Sequence, residues 1–375
     1  MDFSLSEEQT LLKDSIDRYL TNDYDFSERC NIADGDADVS TRHWSSFAEL
    51  GWLSVPFAET LGGYGGKLED AALVFEALGR GLCLEPYLAS VMLAGQLLAN
   101  DQRAKEVEKI IDGSLHGALA ALERHSRQDF YNIATTAAAV GDNFVLNGQK
   151  SLVLNGAVAD VLIVTARTSG LQNEREGASL FMVDSSSTGI TRSVVPMMDG
   201  SKPAMIEFDD VTVSADNLLG SLNRAADLLD PVLLQTRVVI GAEMLGIMET
   251  LCNKTVEYSK TRTQFDVTIG SFQALQHRMV DMLMAVEQSR SMVYRAICEC
   301  QQDDPQAAAT VAGMKALVGR HARYIGEEAI QLHGGMGMTD ELDIGHYVKR
   351  LMMLNHLFGD ADSCLREFCQ QRYAA

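Results

Sequence analysis

Apolar residues recur with helical spacing from the start of the chain, at Leu11, Leu12, Ile16, Tyr19 and Leu20. Ser4 with Glu7 makes a capping box ahead of them. Glu49-Leu50-Gly51-Trp52-Leu53 closes another helix, and one through Ala71, Val74, Phe75 and Leu78 ends at Gly79. A further apolar segment covers Ala89 to Leu98. The run Leu61-Gly62-Gly63-Tyr64-Gly65-Gly66 is too flexible to continue a helix. It reads as a turn, with a phosphate-cradling loop as the alternative, although no strand precedes it. Residues 1–116 are predicted as an N-terminal helical domain.

After Gly117 the period shortens. Phe144-Val145-Leu146 and a run from Gln149 flank Asn147-Gly148, a hairpin signal because both turn positions tolerate positive φ. Val161-Leu162-Ile163-Val164, Ser179 to Val183 and Met205-Ile206-Glu207-Phe208 are further short strands, with Val211-Thr212-Val213 as another and Leu219-Gly220 as the exit. So many short strands predict a barrel or sandwich over 117–222.

From about 223 the helical period returns. Pro231 suits a first helical turn, and Leu234, Val238, Ala242, Leu245 and Met248 mark a stripe running towards Tyr258. A second helix runs from Phe272 through Met279 and Val286 to Ile297. Asp303-Asp304-Pro305 breaks it, and a third passes Val311, Met314, Leu317 and His321 to Ile330. Gly334-Gly335-Met336-Gly337 ends that one, and a fourth fills the remainder. Four helices with short connections predict an antiparallel bundle over 223–375. The fold class is α+β: helices, a β domain, then a four-helix bundle.

Composition narrows the function. With 375 residues, 46% hydrophobic and 22% charged, the chain has the proportions of a globular protein with two or three cores. No apolar run reaches the roughly 18 residues of a membrane span. Met1-Asp2-Phe3-Ser4 shows no signal peptide, so a cytoplasmic protein is expected. A formal charge of −21 speaks against nucleic acid and anionic membrane as partners. The seven cysteines are scattered, and Cys298 and Cys300 point to different helix faces, so no metal site is predicted.

Several motifs then stand in order: Glu49-Leu50-Gly51-Trp52; Leu61-Gly62-Gly63-Tyr64-Gly65; Glu76-Ala77-Leu78-Gly79-Arg80; Asn147-Gly148-Gln149-Lys150; Phe208 to Val213 with Asn217-Leu218-Leu219-Gly220; Tyr258 to Phe265; Phe272-Gln273; and Gln331-Leu332-His333-Gly334-Gly335-Met336-Gly337. Their order and spacing resemble the acyl-CoA dehydrogenase family over essentially the full chain. The resemblance implies an FAD-dependent oxidation of an acyl-CoA thioester to a trans-enoyl-CoA, with an electron-transfer flavoprotein as re-oxidant. In that family a carboxylate takes the Cα proton while the cofactor carries the redox chemistry.

The resemblance also implies that each FAD lies across two subunits. Residues matching the side that reaches a neighbour's FAD are present: Arg262 for the pyrophosphate, Gln264 and Phe265 beside it with an aromatic face near adenine, and Gln331 with Gly334, Gly335 and Gly337 for close backbone approach. Asp266 departs from the family's glycine and places a negative charge there.

The flavin side departs further. Where the family carries threonine-glutamate-proline and a glycine-serine-aspartate turn, this chain has Ala121-Leu122-Glu123-Arg124-His125-Ser126-Arg127-Gln128-Asp129. The tryptophan and hydroxyl positions are Leu152 and Leu154, with Asn155 retained; leucine cannot donate a hydrogen bond. The family's usual base position is Phe358, before Gly359, and its minority position is Thr236, before Arg237. Asp360 and Glu243 are the remaining candidate bases; the alternative readings are a helix N-cap for Asp360 and a paired charge for Glu243.

This pattern is similar to the small or non-catalytic subunits of heteromeric members, such as the pimeloyl-CoA dehydrogenase small subunit, which would complete FAD binding on a partner subunit. The alternatives are a self-sufficient homo-oligomer with a displaced base, in which Arg124 and Arg127 replace the glycine turn on phosphate, and a non-redox binding or scaffold protein of the same fold.

Overall fold

The computed structural model describes residues 4–35 and 39–373. Met1, Asp2 and Phe3, read above for a signal peptide, lie outside the described residues. The chain begins with α1 (Glu7–Asp23), α2 (Phe26–Asp34), α3 (Thr41–Glu49) and α4 (Leu68–Arg80). A π-helical stretch, Tyr87–Gly95, runs into α5 (Gln96–Asn100), and α6 (Ala104–Ile111) follows. The capping box of α1 uses Ser6 and Gln9, two residues later than expected: the Gln9 amide donates to Ser6 Oγ at 3.1 Å and the Ser6 amide to Gln9 Oε1 at 3.0 Å. The glycine run before α4 is a turn. The amides of Tyr64, Gly65 and Gly66 donate to the carbonyls of Ser54, Phe57 and Val55, which leaves them none for a phosphate.

Eight strands follow: β1 (Gly117–Ala120), β2 (Thr136–Val140), β3 (Asn143–Val153), β4 (Val161–Arg167), β5 (Ala178–Asp184), β6 (Ile190–Val194), β7 (Ala204–Ser214) and β8 (Leu218–Leu219). They form one mixed sheet in the order β6-β7-β3-β2-β4-β5-β8, with β1 parallel to β4. Leu146, Leu162, Val164, Phe181, Ile206 and Phe208 fill its core.

Two expectations fail here. Asn147-Gly148 is not a hairpin turn but a bulge inside β3, where the register against β7 shifts. Asn147 spends its amide group across the strands, donating to Asp210 Oδ1 at 2.8 Å and accepting from the Asp210 amide at 2.9 Å. Gly148 has φ +147°, and a Cβ there would lie 2.6 Å from Thr135 Cα. The hairpin turn is Gly141-Asp142, between β2 and β3. Likewise Met205–Phe208 and Val211–Val213 are one strand, β7, that passes through Asp210 at φ +51°.

The C-terminal part holds α7 (Ala226–Thr261), a hairpin of β9 (Thr263–Gln264) and β10 (Val267–Thr268), α8 (Gln273–Gln301), α9 (Ala307–His333), α10 (Ile344–His356) and α11 (Ala361–Tyr373). Pro231 lies inside α7 rather than in its first turn. The expected fourth helix is two, because Phe358 and Gly359 take φ values of +56° and +115° and turn the chain between α10 and α11. By length and composition α7 could cross a membrane, but 72% of its apolar window is buried within the protein.

Two compact units result. One comprises Asn31–Gly66 and Leu84–Thr236, and so contains the sheet. The other comprises the chain through Cys30, Lys67–Cys83 and everything from Arg237. In this bundle unit, α4 and α7 cross at paired glycines. A Cβ on Gly79 would meet the Glu243 carbonyl oxygen at 2.3 Å, and one on Gly246 would meet that of Glu76 at 2.0 Å. Only glycine permits backbones this close.

Candidate functional site

The bundle unit gathers the expected cofactor residues at the ends of two helices. Tyr258, in the last turn of α7, stacks on His333, the last residue of α9, with ring centroids 4.4 Å apart. His333 in turn is held to the Ala329 carbonyl through Nδ1 at 2.8 Å. Arg262 follows α7 directly, its amide closing on the Tyr258 carbonyl and its own carbonyl accepting from Ile269. Among the described residues its exposed guanidinium has no hydrogen bond or ion pair.

Beyond Arg262 the β9–β10 hairpin turns through Phe265 and Asp266, at φ +54° and +61°. Two left-handed residues suit this kind of tight turn, but asparagine and glycine are its usual occupants, and an aromatic residue there is strained. The Phe265 side chain is 87% exposed and stands edge to face with Phe272, centroids 6.3 Å apart. Gln264 turns its amide to the Thr263 carbonyl at 2.8 Å.

At the end of α9, Gln331 is exposed. Nothing lies within 4 Å of the Cβ positions of Gly334 and Gly335. Gly337 differs: a Cβ there would meet the Ile330 carbonyl oxygen at 2.8 Å, so its need for glycine comes from the fold. A free guanidinium, an exposed ring and open space over two glycines fit the adenosine diphosphate end of FAD.

The sheet unit offers the flavin end less. Glu123 is buried and fully engaged. It accepts from Lys150 Nζ at 2.6 Å and from the amides of Ala134 and Thr135 at 2.9 and 3.0 Å. Burial works to raise its carboxyl, but the Lys150 ammonium and these donors win and hold it below its ordinary value. Lys150 completes its set on the Ala121 carbonyl and Thr165 Oγ1. Asn155 donates to Ser90 Oγ and the Gly117 carbonyl, tying its own loop down, while Leu152 and Leu154 present no donor. Arg127 adopts φ +53°, keeping at this turn a conformation that glycine favours.

The base positions offer no proton acceptor. Phe358 is buried, and Thr236 is fully buried with an Oγ1 that has no hydrogen-bond partner among the described residues. Glu243, on α7, lies 2.7 Å from Arg350 Nε and 2.7 Å from its NH2 group, with its side chain 6% exposed. Asp360 accepts from the Ser363 amide at 2.7 Å as the cap of α11, and that amide chiefly holds its carboxyl below the ordinary value. Glu243 is thus engaged by Arg350, and Asp360 by the first turn of α11.

Sequence reading missed the residues that set this geometry. Lys315, wholly buried on α9, donates to the carbonyls of Leu354, Asn355 and Gly359 at 2.8, 3.0 and 3.1 Å. A lysine inside the apolar run Met314-Lys315-Ala316-Leu317-Val318 was the available signal. Arg237 holds the same corner through the Phe358 carbonyl.

Comparison with known proteins identifies the family. The N-terminal, middle and C-terminal domains of acyl-CoA dehydrogenase match residues 6–114, 118–211 and 228–372. The L-prolyl-(peptidyl-carrier protein) dehydrogenase of a Serratia species is 28% identical, the match covering 99% of this chain and 98% of that one. A structure described as PigA with FAD and proline superposes with a TM-score of 0.91 at 27% identity, over 99% of both chains. Butyryl-CoA dehydrogenase from Megasphaera elsdenii gives 0.89 at 25% identity, over 98% of both. This chain is a member of the acyl-CoA dehydrogenase family of FAD-dependent oxidoreductases.

Proposed function

We propose that this protein works as one subunit of an α,β-dehydrogenating acyl-CoA dehydrogenase whose catalytic base resides on a different subunit. The observation that carries this reading is the contrast between its two halves. Arg262, Phe265, Gly334 and Gly335 stand free and exposed, whereas both family base positions are filled by the buried Phe358 and Thr236. The commitments of Glu243 to Arg350 and of Asp360 to the Ser363 amide weigh against a displaced base in a homo-oligomer.

Bound FAD supplies the hydride acceptor of the reaction. This chain's part is to hold the cofactor's far end: Arg262 neutralises pyrophosphate charge, Phe265 covers the adenine, Gln264 and Gln331 offer amide groups, and the glycines leave room. Apolar side chains exposed on the same unit, Val280, Leu283 and Met284 of α8 with Met336 and Met338, give a second family member an area to cover. Residues 1–116, 117–222 and 223–375 serve as its three family domains, in a cytoplasmic assembly re-oxidised by an electron-transfer flavoprotein.

Flavin content tests the reading. The chain purified alone is expected to hold FAD well below one per chain and to leave reconstituted flavin unbleached when mixed anaerobically with a panel of acyl-CoA esters. Co-purified with its partner, it is expected to carry one FAD for every two chains and to bleach. One tightly held FAD per chain, bleached rapidly by an acyl-CoA, overturns the proposal.

A further inference from the structure

The bundle unit has a cleft of about 440 Å³ between α8, α9 and α11. In a chain with 31 basic and 52 acidic residues, three arginines line it, Arg295, Arg320 and Arg372, and among the described residues no aspartate or glutamate does. Two other cavities of the same unit are mixed in charge: one is lined by Asp17, Asp25 and Asp343 among its cations, the other by Glu327, Asp360 and Asp362. Of these three cavities, this cleft alone is lined by cations without carboxylates.

The arginines keep donors to spare. Arg295 is paired with Glu299 at 2.7 Å, but the nearest carboxylate to Arg320 is that of Asp362 at 3.8 Å, beyond hydrogen-bond distance, and Arg372 meets the neutral Gln306. Beneath this rim the surface is apolar. Ala309, Gly313 and Ala316 form a floor of small residues along α9, and Phe368 of α11 closes over it, 3.1 Å from where a Gly313 Cβ would stand. Leu317, Leu365 and Tyr373 make the walls.

We infer that this cleft binds an amphipathic monocarboxylate, such as a free medium-chain acid, with its chain on the α9 floor and its carboxylate on the arginine rim. An apolar body lined by a few placed polar groups is the usual construction of a small-molecule site, and the volume falls in the usual range. A guanidinium pairs with a carboxylate through two parallel hydrogen bonds. The cleft is too small to enclose a whole coenzyme A ester, which singles out the free acid.

Titration calorimetry of the full chain with octanoate, in low salt near neutral pH, is the test. Saturable binding to one site with Kd below about 1 mM is expected, with 1-octanol bound at least ten-fold more weakly. R320Q/R372Q should raise the octanoate Kd at least ten-fold without moving the thermal midpoint, whereas R366Q, off the cleft, should leave it unchanged. Octanol binding as tightly as octanoate, undiminished binding by the double variant, or no saturable heat well above that concentration each overturns the inference.

Discussion

Arg237 Nε donates to the carbonyl oxygen of Phe358 at 2.8 Å, and its NH1 group reaches both carboxylate oxygens of Glu367 at 2.9 Å. Arg237 follows Thr236, one of the two positions where the resemblance leads us to expect a base, and Phe358 occupies the other. The corner between α10 and α11 is thus built with care, yet it presents a phenyl ring. Arg237 and Lys315 hold its backbone from two helices, and the positive φ of Phe358 and Gly359 is maintained by those contacts.

Neither Asp360 nor Glu243 should act as the base. Asp360→Asn and Glu243→Gln are expected to leave turnover of the partner-assembled enzyme within a few-fold of wild type. Glu243→Gln should lower stability by about 1.5–3 kcal/mol, because the charge-assisted contacts between Arg350 and this carboxylate are lost. A thousand-fold loss of turnover with unchanged stability would identify the mutated carboxylate as catalytic after all.

Lys150 and Glu123 form a buried pair that depends on both members. Lys150→Met leaves Glu123 as an uncompensated interior charge and should cost about 3–5 kcal/mol in urea unfolding. Lys150→Met with Glu123→Gln should recover part of that loss, since glutamine carries no charge and its one carbonyl oxygen still accepts from one of the Ala134 and Thr135 amides. A double variant as unstable as the single one would show that the charge of Glu123 is not the cause.

Burial draws the Lys315 ammonium down from its ordinary 10.5 to about 8. Between those values the unfolded chain binds more protons at this site than the folded one, so this group's contribution to stability rises with pH from about 8 to 10.5 and is least favourable below 8. Lys315→Met should therefore flatten the stability profile of wild type across that window. Parallel profiles for the two proteins would refute the shifted titration.

Arg262→Ala removes a free, charge-assisted donor worth about 1.5–3 kcal/mol, or roughly ten- to a hundred-fold in FAD affinity. Fluorescence titration of the assembled enzyme reads this directly. Unchanged affinity would remove Arg262 from the cofactor site.

Gly335 and Gly337 should separate. Gly335→Val enters open space, so it is expected to weaken FAD retention while leaving the apo melting temperature near wild type. Gly337→Val drives a side chain towards the Ile330 carbonyl and should lower the melting temperature first. Equal losses of stability in both would make the cluster purely structural.

Much of this protein is determined by the sequence alone. The helical period, the shift to short strands after Gly117 and the return of long helices set the α+β order, because burial of one face enforces periodicity locally. The residues proposed to face the cofactor, from Arg262 to Phe265 and from Gln331 to Gly335, are contiguous, so their motifs survive as text. The tertiary structure decided what depends on partners distant in sequence. Asn147-Gly148 reads as a hairpin until Asp210, 63 residues away, claims the asparagine. Glu243 reads as a candidate base until Arg350, 107 residues away, closes on it, and Lys315 looks misplaced until α10 offers two carbonyls and Gly359 a third. A side chain's chemistry is set by which groups share its surroundings, and packing brings those together without any regular spacing along the chain.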